Sequence, residues 1–266
     1  MRKRGALYDR VFSIVRCRRC GLVYVNPRLN DSAIGNLYDE AYYQGRGFDR
    51  TVDYTMDDSR SLGEIRLLNS RFVETVRDAL GGLTGRAILD VGCGMGGFVR
   101  ALCAEGAAAV GTDDSAIALE GCRANGTPLA NGNIDALARH GMTFDAVTAI
   151  EVIEHTLSPR AFLESVLRLV RPGGILYLST GNWNIVKHVR GRPYIMPEGH
   201  LYYFTPVTLR RYFDALGLGV AKALNRTWAG YRLVPRIGEV VAPACAAMID
   251  RIAPGYGPFP IARRPA

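Results

Sequence analysis

The run Ile88-Leu89-Asp90-Val91-Gly92-Cys93-Gly94-Met95-Gly96-Gly97-Phe98 constrains this chain more than any other stretch. Ile88, Leu89 and Val91 are apolar and mostly β-branched, which suits a strand in the middle of a parallel sheet. Gly92, Gly94 and Gly96 permit a tight turn and remove the Cβ atoms that would hold a ligand off the backbone. A helix opening near Gly97 turns unpaired N–H groups toward whatever lies above that turn. Strand, glycine turn and helix together describe a site for a nucleotide-like cofactor.

The following residues keep a fixed order. After the strand Ala87–Val91, an amphipathic helix is expected over Phe98–Glu105, then a strand over Ala108–Thr112 that runs into Asp113 and Asp114. An acid at that tip, about twenty residues past the glycines, is placed to accept hydrogen bonds from ribose hydroxyls. The plainer role for Asp113 is a turn or cap carboxylate, and Ser115 suits the cap better. Further strands are expected at Pro128–Ala130, Phe144–Ile150 and Ile175–Thr180. Alternation with helices implies an α/β fold with a parallel sheet covered on both faces. A last pair of strands falls at Gly217–Asn225 and around Pro258–Arg263, the final one antiparallel. Between them Val234–Ile252 reads as a helix kinked at Pro243, a candidate for shaping the acceptor pocket or a homodimer contact.

These blocks resemble the class I S-adenosylmethionine (SAM)-dependent methyltransferases. The likeness rests on Asp90-x-Gly92-x-Gly94-x-Gly96 and Val110-Gly111-Thr112-Asp113. It continues through Phe144-Asp145-Ala146-Val147, Glu151-Val152-Ile153-Glu154-His155 and Leu169-Val170-Arg171-Pro172-Gly173-Gly174-Ile175-Leu176. A dehydrogenase would space its glycines as G-x-G-x-x-G, which this loop does not. The resemblance implies a Rossmann-like sheet and SAM as cofactor. It assigns the methionine end of SAM to Asp90, Gly92 and Gly94, the ribose to Asp113, and the adenine flank to Asn133, Ile134 and Asp135. Cys93, Asp114, Ile150, Tyr42 and Tyr43 complete the expected cofactor contacts.

At 266 residues, 48% hydrophobic and 22% charged, the composition is that of an ordinary globular chain. No apolar run reaches the length of a membrane span, and no long apolar segment follows the basic Met1-Arg2-Lys3-Arg4, so the cytoplasm is the expected location. The net charge of +8 is concentrated near the N-terminus. Such a patch suits nucleic acid or a phosphorylated partner, or is simply solvated. With no aromatic-and-basic recognition module beside it, a small-molecule acceptor is preferred to nucleic acid.

Cys17-Arg18-Arg19-Cys20-Gly21 is half of a zinc knuckle. In the similar subgroup an earlier C-x-x-C precedes it, and an Asn-Pro-Arg like Asn26-Pro27-Arg28 follows. Here no cysteine precedes Cys17 and no histidine occurs in the first hundred residues. The first pair has been lost, precedes the sequence, or comes from a second subunit; otherwise the turn is a rubredoxin-like hairpin without metal, and zinc is not expected. Cys93, Cys103 and Cys122 suit small buried positions, and Cys245 lies in an apolar segment. Asp31-Ser32 can cap a short helix whose apolar face is Ile34, Leu37 and Tyr38. By resemblance, the aromatic Tyr42, Tyr43 and Phe48 fold over the cofactor as a lid; simple packing is the alternative. The helix Leu62–Leu80 follows. This organisation divides the chain into a knuckle and lid segment, 1–58, and a methyltransferase domain, 59–266, with a substrate cover near 182–205.

Methyl transfer from SAM asks the protein for alignment, exclusion of water and, for many acceptors, removal of a proton. Those groups belong beyond the carboxyl ends of the strands. Glu151, Glu154 and His155 sit there, and on a helical turn they share one face. They resemble the metal-binding E-x-x-E-H of ubiquinone-pathway O-methyltransferases and small-RNA 2′-O-methyltransferases, where Mg2+ or a similar ion would lower the pKa of an acceptor hydroxyl. In other relatives the same letters orient loops. His200, in Gly199-His200-Leu201-Tyr202-Tyr203-Phe204, is the second catalytic candidate beside Glu151 and His155, as a base near neutral pH. Asn182, Trp183 and Tyr194 are further pocket candidates. The expected activity is O- or C-methylation of a sugar, natural product or lipid-like molecule. The alternatives are a metal-dependent RNA 2′-O-methyltransferase and a non-catalytic SAM-binding partner subunit.

Overall fold

The computed structural model describes residues 1–50, 54, 61–188, 194–224 and 259–263. The expected helix over Val234–Ile252 and Cys245 lie outside them. Three strands open the chain: β1 (Arg2–Arg4), β2 (Val11–Arg16) and β3 (Val23–Val25). Helices α1 (Asp31–Gly35), α2 (Glu40–Tyr43) and α3 (Leu62–Leu80) follow. Asn30, rather than Asp31-Ser32, caps α1 by accepting from Ala33 N at 2.8 Å. The alternating part runs β4 (Ala87–Val91), α4 (Gly97–Ala104), β5 (Ala108–Thr112), α5 (Ala116–Ala124), α6 (Ile134–Arg139), β6 (Phe144–Ile150), α7 (Pro159–Leu169) and β7 (Val170–Ser179). Then come α8 (Trp183–Val186), β8 (Tyr202–Tyr203), α9 (Pro206–Ala215), β9 (Gly219–Leu224) and β10 (Phe259–Arg263).

The larger sheet has the order β5-β4-β6-β7-β10-β9. Its β5-β4-β6-β7 part is parallel, and β10 runs antiparallel to both neighbours. The pleat sends alternate residues of β7 to opposite faces. Ile175 and Tyr177 meet α3 and α4 on one side; Leu176 and Leu178 meet α7 and α9 on the other. The expected strand at Pro128–Ala130 is a single bridge from Gly111 to Leu129. Proline has no N–H to donate, so Pro128 only accepts from Gly111 N, Ala130 N returns one bond, and pairing ends. β7 starts at Val170, earlier than the expected Ile175, and ends at Ser179 rather than Thr180.

The smaller sheet, β1-β2-β3-β8, joins the N-terminal hairpin to the segment after His200. Val23 registers with Tyr203 and Tyr24 with Tyr202. Phe12, Ile14, Val23 and Val25 turn inward onto Tyr42, Tyr43, Phe48, Trp183, Tyr194 and Leu201. This second core ties the N-terminal segment to the carboxyl-end loops of the main sheet.

Candidate active site

Four segments leave the carboxyl ends of adjacent strands together: Gly92–Gly96 after β4, Asp113–Ser115 after β5, Glu151–His155 after β6 and Thr180 onward after β7. An open α/β sheet places its ligand in the crevice outside those ends.

In the glycine loop, Gly92 has φ 70°, and a Cβ there would lie 2.6 Å from Val152 Cγ2. Gly94, at φ 54°, has no described atom within 4 Å of its Cβ position, so its face of the loop is open. Asp113 ties this loop to α5. Its Oδ2 accepts from Gly94 N and its Oδ1 from Ser115 N, each at 2.9 Å. Ser115 caps α5. Burial raises the Asp113 pKa against those two bonds. Asp90 lies buried beneath, its Oδ1 accepting from Thr148 Oγ1 at 2.6 Å. Burial pushes its carboxyl up to about 7, with the Thr148 bond opposing and Asp113 adding to the rise.

Of the other expected cofactor residues, Cys93 is buried beside the loop, where Cys122 Sγ donates to Gly94 O at 3.1 Å. Ile150 ends β6, half-buried, and Asp114 is exposed. Asn133 caps α6 through Ala136 N at 3.0 Å, with Ile134 half-buried behind it. Asp135 points to the α7 side, accepting from Ser165 Oγ and Arg168 Nη2. Tyr43 lies beside Asp113 and Ser115, while Tyr42 stacks on Phe48 at 5.0 Å and 12°.

Glu154, His155 and His200 form a cluster beyond the carboxyl end of β6. The chain after β6 does not turn as one helix. Glu151 has φ 55°, the left-handed region that non-glycine residues rarely enter, and only Ile153–His155 forms a short 3-10 turn. Glu151 therefore diverges from the face expected for it. Its Oε1 accepts from Ser179 Oγ at 2.5 Å. His200, 45 positions along the chain from His155, takes its place: the ring centroids of the two histidines are 4.6 Å apart. One ligand atom from each of Glu154, His155 and His200 lies within 4.8 Å of the others.

Each member is held from behind. Glu154 is fully buried; its Oε1 accepts from Tyr194 Oη at 2.6 Å, while Oε2 has no hydrogen-bond partner among the described residues. Burial, reinforced by Glu151, raises its pKa well above the ordinary carboxylate value. His200 Nδ1 lies 2.7 Å from Tyr194 O, and a carbonyl only accepts, so the proton sits on Nδ1 and the lone pair on Nε2. His155 Nδ1 lies 3.1 Å from Gly199 O, a carbonyl that only accepts, which sets the same tautomer, and Tyr38 Oη lies 2.9 Å from the same nitrogen. Burial, with His200 beside it, holds the His155 pKa down near 3. A Cβ on Gly199 would lie 2.1 Å from the Phe48 ring, so the aromatic segment rests directly on the loop that carries His200.

Tyr38 reads in the sequence as part of an apolar helix face; the hydroxyl at its end is the missed signal. Tyr194, a minor pocket candidate, holds both Glu154 and His200. Trp183 packs on Tyr203 with centroids 5.2 Å apart, and Asn182 is buried beside Phe204, its bridge partner. In the knuckle, Gly21 N donates to Cys17 O at 2.9 Å and Cys17 N to Leu22 O at 2.8 Å, closing the β2–β3 turn. Backbone bonds from Cys20 and Arg19 lower the Cys17 pKa. Cys17 and Cys20 belong to no described group of three ligands, whereas Glu154, His155 and His200 do.

A glycine loop braced by a strand-tip acid, at the switch point of a parallel sheet, is the arrangement of a nucleotide-cofactor site. A family described as a methyltransferase domain matches residues 65–223. A ubiquinone biosynthesis O-methyltransferase of Aromatoleum aromaticum is 32% identical over 201 residues, covering 70% of this chain and 84% of that one. One of Aeromonas salmonicida is 32% identical over 184 residues, covering 63% and 75%. Among solved structures, the plantazolicin methyltransferase BpumL in complex with SAH superposes with TM-score 0.57 at 14% identity, covering 87% of this chain and 94% of that one. A SAM-dependent methyltransferase from Archaeoglobus fulgidus gives 0.54 at 19%, covering 79% and 98%. The chain belongs to the class I SAM-dependent methyltransferase family.

Proposed function

We propose that the protein transfers the methyl group of SAM to a hydroxyl of a small-molecule acceptor. The observation that carries this reading is the Glu154–His155–His200 cluster, seated one strand from the glycine loop. The likeness to the ubiquinone biosynthesis O-methyltransferases supports oxygen as the target atom. In this reading Asp113 takes the ribose, Asp90 faces the ammonium of the methionine end, and Tyr42 and Tyr43 cover the cofactor. Methyl transfer to oxygen releases the hydroxyl proton. His200 Nε2 carries the lone pair that accepts it, because Tyr194 O occupies Nδ1. His155, held neutral, lines the same space.

A second reading is favoured by the orphaned Glu154 Oε2. Two imidazoles with Nδ1 on carbonyls, plus one buried carboxyl oxygen, fit a divalent cation, with the backing that metal ligands receive from neighbouring groups. Two nitrogen donors suit Mn2+, Fe2+ or Zn2+ better than Mg2+, which prefers oxygen. Such an ion supplies Lewis-acid lowering of an acceptor hydroxyl pKa. Incubating the protein and an extract of its source cells with methyl-labelled SAM, with and without EDTA, tests both readings. Label in small molecules that survives EDTA supports the His200 base; label lost with EDTA and restored by Mn2+ supports the ion. Label found only in RNA rejects the small-molecule acceptor.

Asp90 makes a separate prediction. With its pKa near 7, the carboxyl is mostly protonated at about pH 6 and must lose that proton to face an ammonium. Calorimetry in two buffers of different ionisation enthalpy should show proton release on SAM binding at that pH. Release should fade as the pH rises beyond about 8 and be absent in Asp90→Asn. Equal release in the variant removes Asp90 from the methionine end.

A further inference from the structure

Residues 1–20 carry seven basic side chains and one acidic, six of the eight net positive charges of the chain. The methyl-transfer site uses none of them. The hairpin of β1 and β2 turns one face inward through Phe12 and Ile14. Its register pairs Arg4 with Val11 and Arg2 with Ser13, so Arg2, Arg4 and Val11 share the outer face. Among the described residues, four of the nine large apolar side chains that are exposed belong here: Met1, Leu7, Tyr8 and Val11, between 37% and 49% exposed.

Single exposed apolar residues are unremarkable. This group differs in how its tip is held. Glu198, itself buried, accepts from three successive amides: Ala6 N at 2.6 Å, Leu7 N at 2.9 Å and Tyr8 N at 2.7 Å. One carboxylate thus fixes the backbone of the tip while Leu7 and Tyr8 remain in solvent. Arg10 stands 5.5 Å over the Phe12 ring at the base of the tip, and Arg4 shares its charge with Asp9. A pinned loop that presents leucine and tyrosine between arginines combines apolar insertion with cationic attraction.

We propose that this edge, centred on Leu7, Tyr8 and Val11 with Arg2 and Arg10, docks on an anionic lipid bilayer. Charge complementarity selects the anionic surface, and the apolar tip selects lipid over nucleic acid, which would leave Leu7 and Val11 unused. Contact is peripheral: no helix among the described residues is long and apolar enough to cross a membrane. Glu198 lies two positions before His200, so a bilayer against the tip meets the loop that carries the acceptor-side histidine. The inference does not depend on the reaction proposed above.

The test is co-sedimentation of the full chain with phosphatidylcholine vesicles, with and without phosphatidylglycerol, and with RNA as competitor. Binding should require phosphatidylglycerol. Arg2→Gln and Arg10→Gln should each lower it about five-fold. The double variant Leu7→Ser, Tyr8→Ser should lower it further while SAM affinity, the check on folding, stays unchanged. Absence of phosphatidylglycerol-dependent binding, indifference to the Leu7 and Tyr8 changes, or displacement by RNA bound more tightly through the same arginines would each overturn the proposal.

Discussion

Replacing Asp113 by alanine is expected to weaken SAM binding roughly 10- to 100-fold, the loss of one or two charge-assisted hydrogen bonds at about 1.5–3 kcal/mol each. Its two oxygens already accept from Gly94 N and Ser115 N, one bond apiece, so each keeps a lone-pair direction for a ribose hydroxyl. The substitution therefore acts twice. It removes the proposed ribose acceptor and unties the glycine loop from α5. Asp113→Asn separates the two effects. The amide can keep Oδ1 as acceptor from Ser115 N but presents an NH2 group toward Gly94 N, which cannot accept from it. Affinity for S-adenosylhomocysteine, measured by calorimetry, should fall in the order wild type, Asn, Ala. Equal affinity in all three removes Asp113 from the ribose and leaves it a turn carboxylate alone.

The glycine loop and the strand tips beside it are the part of this site that is legible in the sequence. β4, β5 and β6 follow apolar runs that stop at Gly92, Asp113 and Glu151, and each strand has the expected limits. Periodicity and glycine spacing are local signals, and the cofactor loop is a local structure. The cluster of Glu154, His155 and His200 is not. Glu154 and His200 lie 46 residues apart, and what joins them is Tyr194, which spends its hydroxyl on Glu154 and its carbonyl on His200. No pattern in the chain records that a tyrosine bonds in two directions. β8 has two residues, too few for any alternation to show, yet it pairs the N-terminal hairpin with the segment that follows His200. The helical face expected for Glu151, Glu154 and His155 fails at one backbone angle, the left-handed φ of Glu151. Spacing rules assume regular backbone, and strained residues near reaction centres are where that assumption breaks.

Glu154→Gln is expected to lower methyl transfer by roughly 100-fold or more, in the range of a lost acid–base or metal-ligating group, while SAM affinity stays within about two- to three-fold. His200→Ala should show the same split between turnover and affinity. For Glu154 the argument extends to stability. A carboxyl buried with one oxygen unpaired costs free energy, and its pKa is raised above the ordinary carboxylate value. An acid whose folded pKa is raised contributes stability that is complete below its unfolded pKa and is lost as pH rises through the folded one. The wild-type protein should therefore lose stability relative to Glu154→Gln as the pH climbs above about 4.5. Glutamine keeps the acceptor for Tyr194 Oη but cannot ionise. Thermal unfolding of both proteins across that range, beside their turnover with labelled SAM, measures the two effects together. A variant that is at least as stable at alkaline pH but inactive identifies Glu154 as a group held for chemistry against stability. A variant that is destabilised at every pH and retains activity makes Glu154 a packing residue, and the acceptor proton then falls to His200 without help from its neighbour.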